Sequence, residues 1–244
     1  MNSRLFLQNN SNKLATFLYI DTAVEKALVA ISRDQAILAI EINETTNTHA
    51  SFVQVAIDKI LKQLNISIQT IDAVVVTMGP GSYTGLRVGL ASAKGIAYAI
   101  HKPLIGISTL TLLATHAINH IPIVKTERAI QIFSMIDAKR MEVFGAIYKG
   151  DLTEILPAQA IVLDSQLIAK QIENGPLLCI GSGANKTSQL FSNDLFHCID
   201  AQYDMNDFMQ LAHAKWDTKD FENTAYSSPS YLKDFFQGPP KTKV

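Results

Sequence analysis

The sequence predicts an α/β fold laid out as two consecutive units. Three observations point to it. Of the 244 residues, 48% are hydrophobic, enough to build a sizeable core and too many for a disordered chain. Short apolar runs of strand length alternate with longer segments whose apolar residues recur every three or four positions. An order of three strands, helix, strand, helix, strand occupies the first part of the chain, and a further series of strand and helix signals follows it.

The elements can be justified in order. Leu14-Ala15-Thr16-Phe17-Leu18-Tyr19-Ile20 is a short apolar run ending at Asp21-Thr22, the pattern of a buried strand. Residues 24–31 and 36–42 follow, with Arg33-Asp34 as the turn between them. Three strands on short turns form an antiparallel meander. Residues 45–51 are polar. Residues 52–64 form a helix, with Val53, Ala56, Ile57, Ile60, Leu61 and Leu64 on one face and Asp58, Lys59, Lys62 and Gln63 on the other. Ala73-Val74-Val75-Val76-Thr77-Met78 is a continuous apolar strand of the kind buried on both faces. Gly79-Pro80-Gly81-Ser82 breaks it, residues 84–101 form a second helix, and 104–107 form another strand.

In the second unit, residues 110–119 are helical. Residues 129–136 and 141–148 are strands around Asp137-Ala138-Lys139-Arg140. A weak strand at 161–163, a helix at 164–173 and a strand at 177–180 running into Gly181-Ser182-Gly183 complete the pattern, with helices from near Ala184 and over 206–216. No low-complexity linker and no internal repeat is visible. Residues 1–12 read as a polar leader before the fold, and the tail at Gly238-Pro239-Pro240-Lys241 as loose.

Composition excludes several classes of function. A formal net charge of -1 is a poor footprint for gripping nucleic acid alone, because such binding neutralises several phosphates. Two cysteines, Cys179 and Cys198, allow neither a disulfide scaffold nor a four-cysteine zinc site. No apolar run reaches the length of a membrane span, and the expected location is the cytoplasm.

The loop containing Gly79, Gly81 and Ser82 lies between a buried strand and a helix, where backbone N–H groups can hold an anion. It is neither a Walker A loop nor a dinucleotide fingerprint. A tight turn that seats the helix on the sheet explains the same glycines. On the helix that follows, Gly85, Gly89, Ala93 and Ala97 form a ridge of small residues, and Arg87, Lys94 and Tyr98 form a narrow polar stripe. A helix apolar on most sides is buried on most sides. The ridge invites a second helix, either the chain's own 52–64 or a partner's.

His116 and His120 have the i, i+4 spacing of a metal pair, but no glutamate of a zincin accompanies them. The nearest carboxylate in sequence is Glu127, beyond Pro122, so no metal is expected. Glu41 with Glu44, and Asp137 with Arg140, read as solvated or structural groups. No Ser/His/Asp or Cys/His set stands out, and no catalytic residue is assigned.

The stretch from Ala73 through Gly79-Pro80-Gly81-Ser82-Tyr83-Thr84-Gly85-Leu86-Arg87, then Ala93-Lys94-Gly95-Ile96-Ala97-Tyr98-Ala99 and Pro103-Leu104-Ile105-Gly106-Ile107-Ser108-Thr109-Leu110, resembles the TsaB (YeaZ) family. Ile20-Asp21-Thr22, residues 137–144 and Pro229-Ser230-Tyr231-Leu232-Lys233 support it. The strong match covers residues 17–110. The resemblance implies an ASKHA fold, the actin-like/Hsp70/sugar-kinase architecture of two related subdomains, each a mixed sheet flanked by helices. It implies subdomains at 1–110 and 111–221, with 222–244 packed back on the first. Asp21 and Thr22 then face nucleotide phosphate, with Ala23 where a serine is usual. Gly181 and Gly183 resemble the adenosine-side loop.

In the catalytic paralogue, TsaD, a His-x-x-x-His pair binds metal. Laid on this sequence, those positions are Thr109 and Leu113. The resemblance therefore implies a non-catalytic scaffold. It pairs with a TsaD homologue, works with a TsaE-type ATPase, meets tRNA only through the complex, and forms a homodimer when alone. The assembly threonylcarbamoylates adenosine 37 of tRNA. The expected contact residues are Gly85, Leu86, Gly89, Leu90, Ala93 and Ala97 on one helix, and Val53, Ile57 and Leu61 on the other. No cofactor is expected on the isolated chain; any nucleotide belongs at the partner interface. The alternatives are a metal-dependent transferase or M22-type peptidase using His116 and His120, a small-molecule kinase of the same fold, and an interaction module with no link to tRNA.

Overall fold

The computed structural model describes residues 14–45, 49–126 and 129–233. The expected leader, Glu127 and the Gly238-Pro239-Pro240 tail lie outside them. The first unit runs β1 (Thr16–Asp21), β2 (Ala27–Arg33), β3 (Ala36–Asn43), α1 (His49–Leu64), β4 (Ala73–Gly79), α2 (Tyr83–Ile100) and β5 (Leu104–Ser108). β1, β2 and β3 form the antiparallel meander, and β4 and β5 add in parallel, giving the order β3-β2-β1-β4-β5. The uninterrupted apolar runs of β1 and β4 sit side by side at the centre, where both faces are covered.

The second unit follows α3 (Thr109–His120) and the short α4 (Pro122–Thr126). It contains β6 (Gln131–Asp137), β7 (Glu142–Tyr148), β8 (Glu154–Val162), α5 (Ser165–Ile172), β9 (Leu177–Ile180), α6 (Ala184–Ser188), β10 (Phe196–Ile199) and α7 (Met205–Thr218). Its sheet order is β10-β9-β6-β7-β8. Read from the meander outward, this is the first sheet's order again, with the same parallel and antiparallel pairings. The two related mixed-sheet units of the expected ASKHA fold are therefore present. The internal repeat is one of topology, and no repeated residues announce it.

The layers follow from the apolar faces. α1 and α2 cover one face of the first sheet, packing on Leu18, Ile20, Val74 and Val76. α7 covers the other, with Phe208, Met209 and Ala212 against Phe17, Tyr19 and Val75. α3 lies between the sheets: Leu110, Leu113, Ala114 and Ala117 meet Ile132, Ile136 and Ile180 of the second sheet, while Leu112 joins the core of the first. α5 closes the far side of the second sheet through Ile168 and Ile172. Residues 222–233 return to the first unit. Glu222 N donates to Leu104 O (2.8 Å), Ser230 N to Met78 O (2.8 Å), and Lys94 Nζ to the carbonyls of Ala225 (3.1 Å) and Ser227 (2.9 Å).

Three elements differ from the sequence reading. β8 is a nine-residue strand rather than a remnant at 161–163. It is an edge strand, it carries Pro157, and its first seven residues are exposed or half-exposed, so it lacks the apolar run of a central strand. β10 is a half-exposed edge strand that sequence pattern did not reveal. α4 has only five residues, too short for a helical period.

Candidate functional site

A cleft of about 780 Å³ opens between the two units, at the carboxyl ends of their central strands. This is where α/β sheets ordinarily take ligands. Gly81, Ser82 and Tyr83 line it from the first unit, and Ala138, Lys139 and Ser182 from the second.

On the first side, the end of β1 and the β4–α2 loop lie directly on each other. The Asp21 carboxylate accepts at Oδ1 from Ala23 N (2.9 Å) and Thr77 Oγ1 (2.8 Å), and at Oδ2 from Tyr203 Oη (2.7 Å). Burial, and then the Asp21 charge, push the Tyr203 hydroxyl well above its ordinary pKa, which keeps it a donor. Thr22 Oγ1 donates to Gly85 O (2.7 Å). Ser82 N donates to Ala23 O (2.7 Å), and Ser82 Oγ caps α2 by accepting from Gly85 N (3.2 Å). A Cβ on Gly81 would stand 2.2 Å from Ala23 O. The glycines of this loop therefore permit a close approach of backbone to backbone. Of the two readings open for Gly79, Gly81 and Ser82, the structure supports the tight turn. Asp21 and Thr22, expected to face a phosphate, have polar atoms engaged by the chain itself.

On the second side, Gly181 has a φ of +108°, and a Cβ there would lie 2.3 Å from Met135 O. Gly183 N donates to Met135 O (3.3 Å), so this glycine loop packs on the end of β6. Asp137 does not pair with Arg140. Its Oδ1 accepts from Lys186 Nζ (2.5 Å) and Lys139 N (2.6 Å), and Ser182 Oγ accepts from Asp137 N (3.1 Å). Burial raises the Asp137 carboxyl, and the Lys186 ammonium with the Lys139 N–H more than offsets it, so the group titrates below its ordinary value. Lys139 and Arg140 both have left-handed backbone, φ of 66° and 50°, at the lip of the cleft.

The small-residue ridge of α2 faces inward. Gly85, Leu86, Gly89, Leu90, Ala93 and Ala97 are all buried, as are Val53 and Ile57 of α1, while Leu61 is half-buried. Added Cβ atoms on Gly85 and Gly89 would lie 2.0 Å from Thr22 O and 2.2 Å from Thr22 Oγ1. The glycines of the ridge thus accommodate Thr22 just after β1, and, Leu61 apart, the residues expected at a partner contact are buried within the chain itself. The expectation that this helix is buried on most sides is corrected: one face is buried on its own sheet and α1, while Thr84, Arg87, Ala91, Gly95, Tyr98 and Ala99 are exposed. Gly89→Ala is expected to cost about 1–3 kcal/mol of stability through overpacking, read from the urea midpoint.

The outward face of the pair is different. Val55 on α1 is 66% exposed and Tyr98 on α2 is 75% exposed, with Ala91, Gly95 and Ala99 exposed on the same side of α2. Gln54 Nε2 donates to Ser92 Oγ (3.1 Å) and ties the two helices together.

His116 and His120 lie at the far end of α3, away from the cleft. The structure brings two carboxylates to them from the start of α7: His116 Nδ1 is 2.7 Å from Asp207 Oδ2, and His120 Nε2 is 3.7 Å from Asp204 Oδ2. Both carboxylates come from far along the chain, where proximity in sequence could not show them. Thr109 and Leu113, the positions matched to the metal-binding histidines of TsaD, do not fit that metal: Thr109 Oγ1 is a buried hydroxyl and Leu113 has no donor atom. Among the described residues, no helix is long and apolar enough to cross a membrane.

Comparison with known proteins agrees with this picture. A family model described as TsaD, tRNA N6-adenosine threonylcarbamoyltransferase, matches residues 37–232. The tRNA threonylcarbamoyladenosine biosynthesis protein TsaB of Bacillus subtilis is 26% identical over 183 residues, covering 74% of this chain and 76% of that protein. The TsaB protein of Escherichia coli is 29% identical over 170 residues, covering 68% and 71%. The structure of YeaZ from Pseudomonas aeruginosa superposes with a TM-score of 0.75 at 20% identity, over 90% of this chain and all of that one, a likeness of fold.

Proposed function

The chain belongs to the TsaD family of tRNA N6-adenosine threonylcarbamoyltransferases, and from that premise we propose that it serves threonylcarbamoyladenosine formation as a partner subunit, not as the transferase itself. Its TsaB-named relatives support a role in that pathway. The observation that carries the non-catalytic reading is the state of Asp21. The resemblance places the turn after the first strand, with Asp21, toward nucleotide phosphate. Here Thr77, Ala23 N and Tyr203 hold it from three directions. Three of the roughly four acceptor sites of a carboxylate are thereby taken by the chain itself, which leaves Asp21 little capacity for a ligand. Thr109 and Leu113 support the same reading, since neither side chain replaces an imidazole.

The partners are a TsaD homologue and a TsaE-type ATPase, with tRNA held through the complex. The free chain pairs with itself. No cofactor belongs to the isolated chain, and nucleotide sits at the partner contact if it binds at all. The contact surface is the outward face of α1 and α2 around Val55, Ala91, Gly95 and Tyr98. Exposed apolar residues flanking small ones allow a second pair of helices to come close.

Reconstitution tests this. The purified chain alone is expected to transfer no threonylcarbamoyl to tRNA. Addition of the cell's TsaD homologue, the ATPase and tRNA is expected to restore the modified nucleoside, and omission of this chain to remove it. Turnover by the isolated chain would refute the subunit reading.

A further inference from the structure

We propose that α3 and α7 together form a site for one divalent transition-metal ion, Zn2+ by its ligand chemistry, held by His116, His120, Asp204 and Asp207. One turn apart on α3, the two histidines present neighbouring rings with centroids 4.5 Å apart. Asp204 is the N-cap of α7 and Asp207 lies on its first turn, with Asp204 N donating to Asp207 Oδ2 (3.0 Å). One ligand atom from each of the four residues falls within 4.8 Å of all the others. Tetrahedral zinc with bonds of about 2.0–2.2 Å places its ligand atoms roughly 3.3–3.5 Å apart. His120 Nε2 already stands 3.6 Å from Asp207 Oδ1 and 3.7 Å from Asp204 Oδ2. The 2.7 Å contact of His116 Nδ1 with Asp207 Oδ2 must open, and the wider separations, up to 4.8 Å, must close for the four to meet one ion. His116 binds through Nδ1 as its Nε2–H tautomer: a neutral ring moves its one proton from Nδ1 to Nε2 by way of solvent, and a ring that carries two releases the Nδ1 proton, so the imidazole that meets the metal is neutral in either case.

The surroundings hold the ligands in position. Asn119 Nδ2 donates to Asp207 Oδ1 (2.9 Å). Asp204 Oδ1 accepts from Asn206 N (2.7 Å) and Asp207 N (3.2 Å), which leaves Oδ2 as the atom turned toward His120. Outer hydrogen bonds of this kind orient metal ligands. Two neutral imidazoles and two carboxylates balance a charge of 2+, and the mixed nitrogen and oxygen set favours zinc over magnesium or calcium, which take oxygen alone. Four protein ligands close the coordination sphere, so the ion is structural. It clamps α7, which packs on the first sheet, to α3, which packs on the second.

The test uses the full chain without an affinity tag, stripped with a chelator and titrated with Co2+ as a visible probe. One equivalent is expected to bind with the intense visible bands of tetrahedral Co2+, to be displaced by Zn2+, and to raise Tm. His120→Ala and Asp204→Asn are each expected to weaken the affinity at least tenfold. Asparagine caps a helix as well as aspartate does, so Asp204→Asn separates metal loss from loss of the cap. Circular dichroism of both variants without metal is expected to match the parent. The site is refuted if no saturable uptake occurs or if either variant binds as tightly as the parent. A thiolate charge-transfer band that disappears in Cys198→Ser would also refute it, since the ion would then sit on cysteine.

Discussion

Ala93→Arg is expected to leave the chain without a cooperative fold. Ala93 is fully buried in the middle of α2, in the core that Leu18, Ile20, Val74 and Val76 build under the helix. One turn earlier, even a methyl group on Gly89 would collide with Thr22. The interface between this helix and its sheet therefore holds no slack into which a longer side chain can turn. Overpacking alone costs about 1–3 kcal/mol. An unpaired guanidinium in an apolar core adds several kcal/mol more, roughly. The sum rivals the whole stability of an ordinary domain, about 5–15 kcal/mol. Urea unfolding followed by circular dichroism is expected to show no native baseline. A cooperative transition within about 1 kcal/mol of the parent would mean that α2 does not lie on β1 as described.

The same helix shows what the residues alone made legible. Its apolar and small residues leave only a thin polar stripe, which suggests burial on most sides, yet Ala91, Gly95 and Ala99 are small residues on an exposed face; smallness alone does not tell a packed ridge from an open one. Which element covers the ridge could not be read either. Gly85 and Gly89 meet Thr22, more than sixty residues earlier in the chain, and periodicity within a helix carries no record of such a meeting. The central strands were legible because burial on both faces imposes an unbroken apolar run, as in Val74-Val75-Val76. The edge strands β8 and β10 were not, because one side of each faces solvent and polar residues are tolerated there.

The candidate site divides in the same way. Gly79, Gly81, Gly181 and Gly183 marked both loops of the cleft, since a close backbone approach demands glycine. The closure of Asp21 by Tyr203 spans 182 residues, and the arrival of Asp207 at His116 spans 91. Both depend on where α7 docks. The docking residues Met205, Phe208 and Met209 form an ordinary amphipathic face that names no partner.

Gly95→Arg, two residues from Ala93, is expected to give the opposite outcome: a folded chain that no longer assembles. A Cβ at Gly95 meets no atom within 4 Å, and the residue lies on the exposed face of α2. Replacing glycine in an exposed helix interior with arginine improves helix propensity by roughly 0.5–1 kcal/mol, so the isolated variant is expected to be at least as stable as the parent. The damage falls on the contact. Val55, Ala91 and Tyr98 form a low surface against which a second helix pair can lie closely, and an arginine at its centre both props the helices apart and carries an unpaired charge into the contact. Loss of a central, well-packed contact costs about 2 kcal/mol or more, which is over tenfold in Kd. Light scattering is expected to find the variant monomeric, a pull-down to find it free of the TsaD homologue, and reconstitution to yield no modified tRNA. A variant that stays dimeric, binds the homologue and supports modification at the parent rate would remove this face from the assembly. If it dimerises normally but fails only with the homologue, the two contacts use different surfaces, and the shared-face reading is wrong.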